Sequence, residues 1–372
     1  MKLQPFKLER YFAQYEFAVK YLLSSSDCDG LAQGRLISLA DNETRALWDN
    51  LTLGYTESLG LPPLREEIAG LYQRLDADQT LVLAPEEGIF LALNAILEAG
   101  DGVICTAPGY QSLYEIAQGL GCTVTRWLPD EGAGWKFDPE FLLSAIQPNT
   151  KLLILNFPHN PTGFLPSVAD FERMIEIARA HDLIVLSDEM YRLLELDEAD
   201  RLPAAADAYE NAISLFGMSK TFGLAGLRIG WLATQNRDLL RQIANLKDYT
   251  TICSSAPSEI LALIGLRARQ TIVAEHRALI AANLEHLDDF FARRHDLMTW
   301  NRPKAGTIGF ARLRDGLSAE VFCKMLVEEA GIMLLPSTVY DYGDEHMRIG
   351  FGRRNLPDVL AAFDAYLDAK QL

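Results

Sequence analysis

Three things are scarce in this sequence. Cysteine is the first: there are five among 372 residues, at Cys28, Cys105, Cys122, Cys253 and Cys323, with no two in a C-x-x-C pair. That pattern excludes a zinc ribbon and speaks against a disulfide framework, so a reducing compartment is expected. Long apolar runs are the second. No stretch approaches the ~18 residues that a membrane span needs. The opening MKLQPFKLERYF has neither the apolar core nor the cleavage site of a secretory signal, and a cytoplasmic protein without a membrane partner is expected. Positive charge is the third. Against 51 Asp and Glu there are 34 Lys and Arg, a net charge of −17. Nucleic acid and anionic membranes demand a basic patch, so neither is expected as a partner. The six histidines show no metal-ligand spacing, and no metal is expected.

What remains is an apolar fraction of 49% in a chain long enough to bury a sizeable core in about two domains. Short, nearly all-apolar segments bounded by turn residues recur: 103–106, 152–157, 183–187, 212–216 and 229–233. They read as strands buried on both faces, and helix-length segments such as 167–180 lie between several of them. The layout is α/β with a mostly parallel sheet, and ligands of such sheets sit beyond the C-terminal strand ends. From about Ala274 the texture changes to a long charged amphipathic helix, then TIGFARL, a helix over 319–330, IMLLPS, HMRIGFG and a last helix from Leu356. This reads as a smaller α+β domain, on which the aromatic N-terminal segment would pack.

Three strand ends carry chemistry. SLFGMSKTFGLAGLRIGW (214–231) places Lys220 after a strand and a tight turn, with Arg228 eight residues on. A lysine in a partly desolvated strand end loses its proton more easily and can attack an aldehyde. An arginine fork suits a phosphate dianion. The segment is not a phosphate-binding loop of the GxxxxGK[ST] type, because Ser219 precedes Lys220. LLILNFPHNPTG (152–163) runs a strand into Asn160, which alone reads equally as a turn. LIVLSDEMYRLL (183–194) ends a strand at Asp188 with Tyr191 three residues on; a carboxylate there is more often functional than structural in an α/β sheet, and alone its other reading is a helix N-cap. His159 reads as a turn residue, Cys105 and Cys122 as small core residues, and the N-terminal aromatics as packing.

In this order the three segments resemble the pyridoxal 5′-phosphate (PLP) enzymes of the aspartate aminotransferase fold, class I/II. GYTESLGLPPLREEIA (54–69), APGY (107–110) and HMRIGFG (346–352) extend the resemblance over nearly the whole chain. It implies a large α/β domain over 45–273, with a mostly parallel, mixed sheet of the seven-stranded type flanked by helices. A smaller α+β domain would be formed by 1–44 and 274–372. It implies that Lys220 holds PLP as a Schiff base and shuttles a proton, and that Asp188 pairs with the pyridinium nitrogen. Asn160 and Tyr191 would bond the ring oxygen, Tyr110 would stack on the ring, and Arg228 and Ser219 would serve the phosphate. Arg348, with Asn160, would bind the substrate α-carboxylate. Tyr55 would reach the neighbouring subunit's cofactor, implying a homodimer with shared sites.

Two departures stand out. Gly217 occupies the place where the family usually has Ser or Thr. Pro85 opens the helix at LAPEEGIF, so Glu86 and Glu87 must supply backbone N–H donors to the phosphate, their side chains expected to point away. The reaction expected is transfer of an amino group between an α-amino acid and a 2-oxo acid. The runner-up is a PLP-dependent lyase or cyclase, because LERYFAQYEFAVKYLLSSSDCDG, NFPHNPTG and LKDYTTICSSAPSE resemble capreomycidine synthase-like proteins. Ser24–Ser26 reads equally as a lining of the substrate entrance and as a plain loop.

Overall fold

A computed structural model describes all residues from Met1 to Leu372. Its centre is a seven-stranded sheet made of β1 (Thr80–Leu83), β2 (Gly102–Thr106), β3 (Thr123–Trp127), β4 (Thr150–Asn156), β5 (Ile184–Asp188), β6 (Ala212–Gly217) and β7 (Gly230–Thr234). The spatial order is β1-β7-β6-β5-β4-β2-β3. All neighbours are parallel except that β7 runs antiparallel to both β1 and β6. The five segments expected as strands are all present. The two that the apolar pattern did not single out are the sheet edges: β1 is only four residues long, and β3 is half-exposed and carries Arg126.

Every residue of β2 and β6 is buried, as helices on both faces require. One core joins Ile213, Leu215 and Leu232 to the helix Pro85–Ile96. On the other face Phe216, Trp231 and Val82 pack with the helix Ala256–Arg267 and with Leu36. The parallel register sets Asn156 beside Asp188 and Asp188 beside Leu215, so β4, β5 and β6 end at one level.

The C-terminal part is a four-stranded antiparallel sheet ordered Leu335–Pro336, His346–Gly350, Ile308–Leu313 and Met298–Thr299. Helices Arg269–Arg293, Ala319–Ala330 and Leu356–Lys370 cover it through Leu284, Phe290, Leu326 and Phe363. The N-terminal chain joins this body. Tyr21–Leu22 pairs in parallel with Ile332–Met333, and the Gly350 N–H donates to the Leu23 carbonyl at 2.7 Å. A Cβ at Gly350 would lie 1.9 Å from the Ser25 carbonyl oxygen, so only glycine lets the two backbones cross here. No helix is long and apolar enough to cross a membrane.

Candidate active site

The level ends of β4, β5 and β6 open into a cavity of roughly 370 Å³ between the two bodies. Its floor is Asp188, the last residue of β5. The Asp188 carboxylate accepts the Met190 N–H at 3.2 Å, and burial pushes its pKa up to about 7, against the opposing pull of that N–H and of Lys220. Beyond β4 the Asn156 side chain braces the turn: its Nδ2 donates to the Asp188 carbonyl at 3.1 Å, and its Oδ1 accepts the Asn160 N–H at 2.8 Å. Thus Asn160 stands beside Asp188 because the strand before it is pinned to β5.

Lys220 follows β6 by three residues. Burial lowers its pKa, helped by Arg348 and opposed by Asp27, Glu9 and Asp188. Its Nζ donates to the Ser26 hydroxyl at 2.8 Å. Ser26 is itself held by Thr307, whose Oγ1 donates to the Ser26 carbonyl at 2.8 Å. Tyr191 also faces the cavity; it is 3% exposed and its hydroxyl has no hydrogen-bond partner.

Arg348 is 1% exposed, midway along the strand His346–Gly350. Its Nε and Nη2 donate to the Ser24 carbonyl at 3.1 and 2.8 Å, and its Nη1 donates to Asn160 Oδ1 at 3.2 Å and the Tyr340 hydroxyl at 2.8 Å. A guanidinium has five N–H donors. Four are engaged, and the fifth lies on Nη2. The fork expected to grip a carboxylate alone is therefore mostly filled, and Asn160 Nδ2 is the neighbouring donor.

At the opposite end are Tyr110, Ser219, Arg228, Pro85 and Glu86. The Tyr110 hydroxyl donates to Glu9 at 2.8 Å, and its ring lies 4.9 Å from that of Phe6. Arg228 spends one contact on the Ala225 carbonyl, at 3.1 Å. The first helical N–H groups, of Glu86 and Glu87, have no intrahelical partner. The Glu87 side chain points away, as expected, accepting from Thr251 at 2.8 Å. The expectation for Glu86 is overturned: its side chain lines the cavity and accepts from Ser112 at 3.2 Å. Burial pushes its pKa up to about 7, and Glu9 and Asp188 add to the rise. A carboxyl that is half protonated near neutrality tolerates the position, which an obligate anion would not.

Residues 18–362 match the family described as aminotransferase class I and II. The chain belongs to that family. A solved PLP-dependent aminotransferase from Streptococcus suis 89-1591 is similar at 28% identity and a TM-score of 0.93, covering 99% of each chain. Capreomycidine synthase of Streptomyces vinaceus is 26% identical over 365 residues, 97% of this chain and 93% of that protein. Aspartate aminotransferase of Pyrococcus horikoshii is 26% identical over 314 residues, 80% of this chain and 78% of that protein. The protein is an enzyme, a PLP-dependent transaminase.

The aminotransferase cavity fits that cofactor on its own chemistry. It offers an orphaned buried hydroxyl at Tyr191, a carboxylate at Asp188 with one weak partner, an amine at Lys220, and unengaged helix N–H groups beside a guanidinium. Tyr55 is outside the cavity and 92% exposed. His159 is buried away from it, bonded to Thr162 at 2.8 Å. Of Ser24–Ser26, Ser25 and Ser26 line the cavity and the Ser24 carbonyl accepts from Arg348; two contributors escaped the sequence reading, Tyr340 and the wall Glu9, Phe12 and Glu16. Phe12, expected only to pack, faces the cavity, its ring 5.6 Å from the Arg348 guanidinium. The signal for that wall was the spacing of positions 8, 9, 12 and 16 on one helical face.

Proposed function

We propose that this aminotransferase moves the amino group of an α-amino acid to a 2-oxo acid using Lys220 as the cofactor-bearing lysine. The observation that carries this is the convergence of Lys220, Asp188, Tyr191, Asn160 and Arg348 on one cavity. When bound, PLP supplies an aldehyde that condenses with amines and a ring that accepts the electron pair left on Cα. Asp188 keeps a proton on the ring nitrogen, so that the ring can accept that pair. Tyr191 and Asn160 would bond the ring oxygen, and Tyr110 would stack on the ring. Arg228, Ser219 and the N–H groups of Glu86 and Glu87 take the phosphate. Lys220 Nζ would accept the proton from the substrate Cα and deliver it to the cofactor carbon on the far side of the amino nitrogen. The free Nη2 donor of Arg348 and the Asn160 amide hold the α-carboxylate, which turns the Cα–H bond toward Lys220.

The same reading makes the active unit a cytoplasmic homodimer in amino-acid metabolism. Leu53, Tyr55, Tyr249 and Ile252 are exposed, and Thr56 joins their two loops by donating to the Ser254 carbonyl at 3.3 Å. An apolar patch of this kind is what a partner subunit would cover, and Tyr55 would thereby reach the partner's phosphate. All five cysteines are free, which suits a reducing compartment. The chain would divide into bodies 45–273 and 1–44 with 274–372. The packing of Leu36 against the large-sheet core favours moving the first boundary to near residue 30.

Single-turnover mixing of the PLP-loaded enzyme with amino acids tests the reaction. Stoichiometric 2-oxo acid and an aminated cofactor are expected. Free ammonia would instead identify the lyase or cyclase chemistry that the capreomycidine synthase likeness keeps as second reading.

A further inference from the structure

The charges lining the cavity are unequal. Three cations, Lys220, Arg228 and Arg348, face five carboxylates, Glu9, Glu16, Asp27, Glu86 and Asp188. The function proposed above, on which this inference rests, occupies most of them. Arg348 is matched to the α-carboxylate, Arg228 to the phosphate, Lys220 to the aldehyde and Asp188 to the ring nitrogen. Asp27 is neutralised by Arg353, at 2.8 Å. Glu86 sits at the phosphate end. Glu9 and Glu16 form no ion pair, although Arg353 and Lys220 lie near enough to Glu16 to favour its charge.

These two are seven residues apart, and with Leu8 and Phe12 they form the cavity face of the helix Lys7–Tyr15 and its C-cap. Glu9 accepts a single hydrogen bond, from Tyr110, on a carboxylate with room for about four. Glu16 accepts none and joins no ion pair. Its place is unfavourable for an anion, because the C-terminal end of a helix carries partial negative charge. Burial, Asp27 and Glu9 raise its pKa, and the charges of Arg353 and Lys220 offset that rise only in part. The cavity they face is the one that Lys220, Asp188 and Arg348 also line, so a substrate bound there meets the two carboxylates. No further arginine or lysine faces the cavity to meet a side-chain carboxylate.

We propose that Glu16, with Glu9, selects amino acids whose side chain ends in a positive charge, an ammonium or a guanidinium. The acidic wall and the carboxylate grip at Arg348 then read the two ends of one substrate, and dicarboxylic amino acids are disfavoured.

Neutral isosteres test this. The PLP-loaded enzyme is titrated with arginine against citrulline, and with lysine against norleucine, following the cofactor absorbance at low salt. At least one cationic member is expected to bind about 10-fold or more tighter than its neutral partner. Which pair shows the gap tells guanidinium from ammonium. In Glu16→Gln the gap should shrink several-fold, and Glu16→Asp should restore part of it. Equal binding within both pairs, or a gap untouched in both Glu16→Gln and Glu9→Gln, overturns the proposal while leaving the aminotransferase reading intact. No absorbance response to any amino acid, glutamate and alanine included, would overturn both.

Discussion

Pro85 and Gly217 are fitted to each other. A Cβ at 217 would lie 3.2 Å from Pro85 Cγ and 2.8 Å from the Gly230 Cα, and a Cβ at 230 would meet Pro85 Cγ at 2.7 Å. The proline ring fills the space over two adjacent strands, so the two departures from the family pattern are one structural event. The hydroxyl missing at 217 cannot simply be replaced. Gly217→Ser should lower stability by about 1–3 kcal/mol, as overpacking does, without tightening cofactor binding. Urea unfolding of the cofactor-free protein and a PLP titration check it; a stable variant with tighter binding would contradict the fit.

Glu86 lines the cavity beside the groups proposed to take the phosphate, with its pKa held up to about 7, chiefly by burial. As pH rises through that value the carboxyl ionises beside a phosphate dianion, so cofactor affinity should fall. Equilibrium dialysis at pH 6.5 and 8.5 should show several-fold weaker PLP binding at the higher pH. In Glu86→Gln that dependence should largely flatten, and an unchanged slope would remove Glu86 from the phosphate end.

The buried carboxyls also predict how the cofactor-free protein responds to pH. Asp188, Glu86 and Glu259 are each pushed up to about 7, first by burial, whereas in the unfolded chain they ionise near 4. The folded state therefore binds more protons between these values. Its stability is fully present below about pH 4, as far as these groups are concerned, and is lost as pH rises through 7. Denaturant midpoints should fall from pH 5.5 to 7.5, and the fall should diminish in Glu259→Gln.

Much of this site was legible beforehand because strand ends announce themselves. Asp188, Asn160 and Lys220 each follow an apolar run, and parallel pairing brings such ends to one level. The edges β1 and β3 were not legible, since a four-residue strand and a half-exposed one lack the apolar signature. Tyr340 gave no signal at all: its role arises only because the chain folds a turn against Arg348. The orientation of Glu86 was misjudged because electrostatics argued for exposure, while burial instead raised its pKa.

Asp188→Asn keeps shape and removes charge. The ring nitrogen then loses its proton more easily, and the ring accepts electrons poorly. PLP should still bind, while turnover falls by ~10²-fold or more, equivalent to at least ~2.7 kcal/mol of lost transition-state stabilisation. The loss should fall on Cα–H cleavage, read as slower exchange of a Cα deuteron with solvent. Near wild-type exchange would mean that Asp188 does not face the ring nitrogen.

The identity of the cofactor-bearing residue tests the account most directly. Lys220 is the only lysine facing the cavity, its amine lowered in pKa and 2.8 Å from Ser26. Borohydride reduction of the PLP-loaded enzyme, followed by peptide mass mapping, should place the pyridoxyl group on Lys220 and nowhere else. A label on any other lysine, or reducible cofactor retained by Lys220→Ala, would contradict the account.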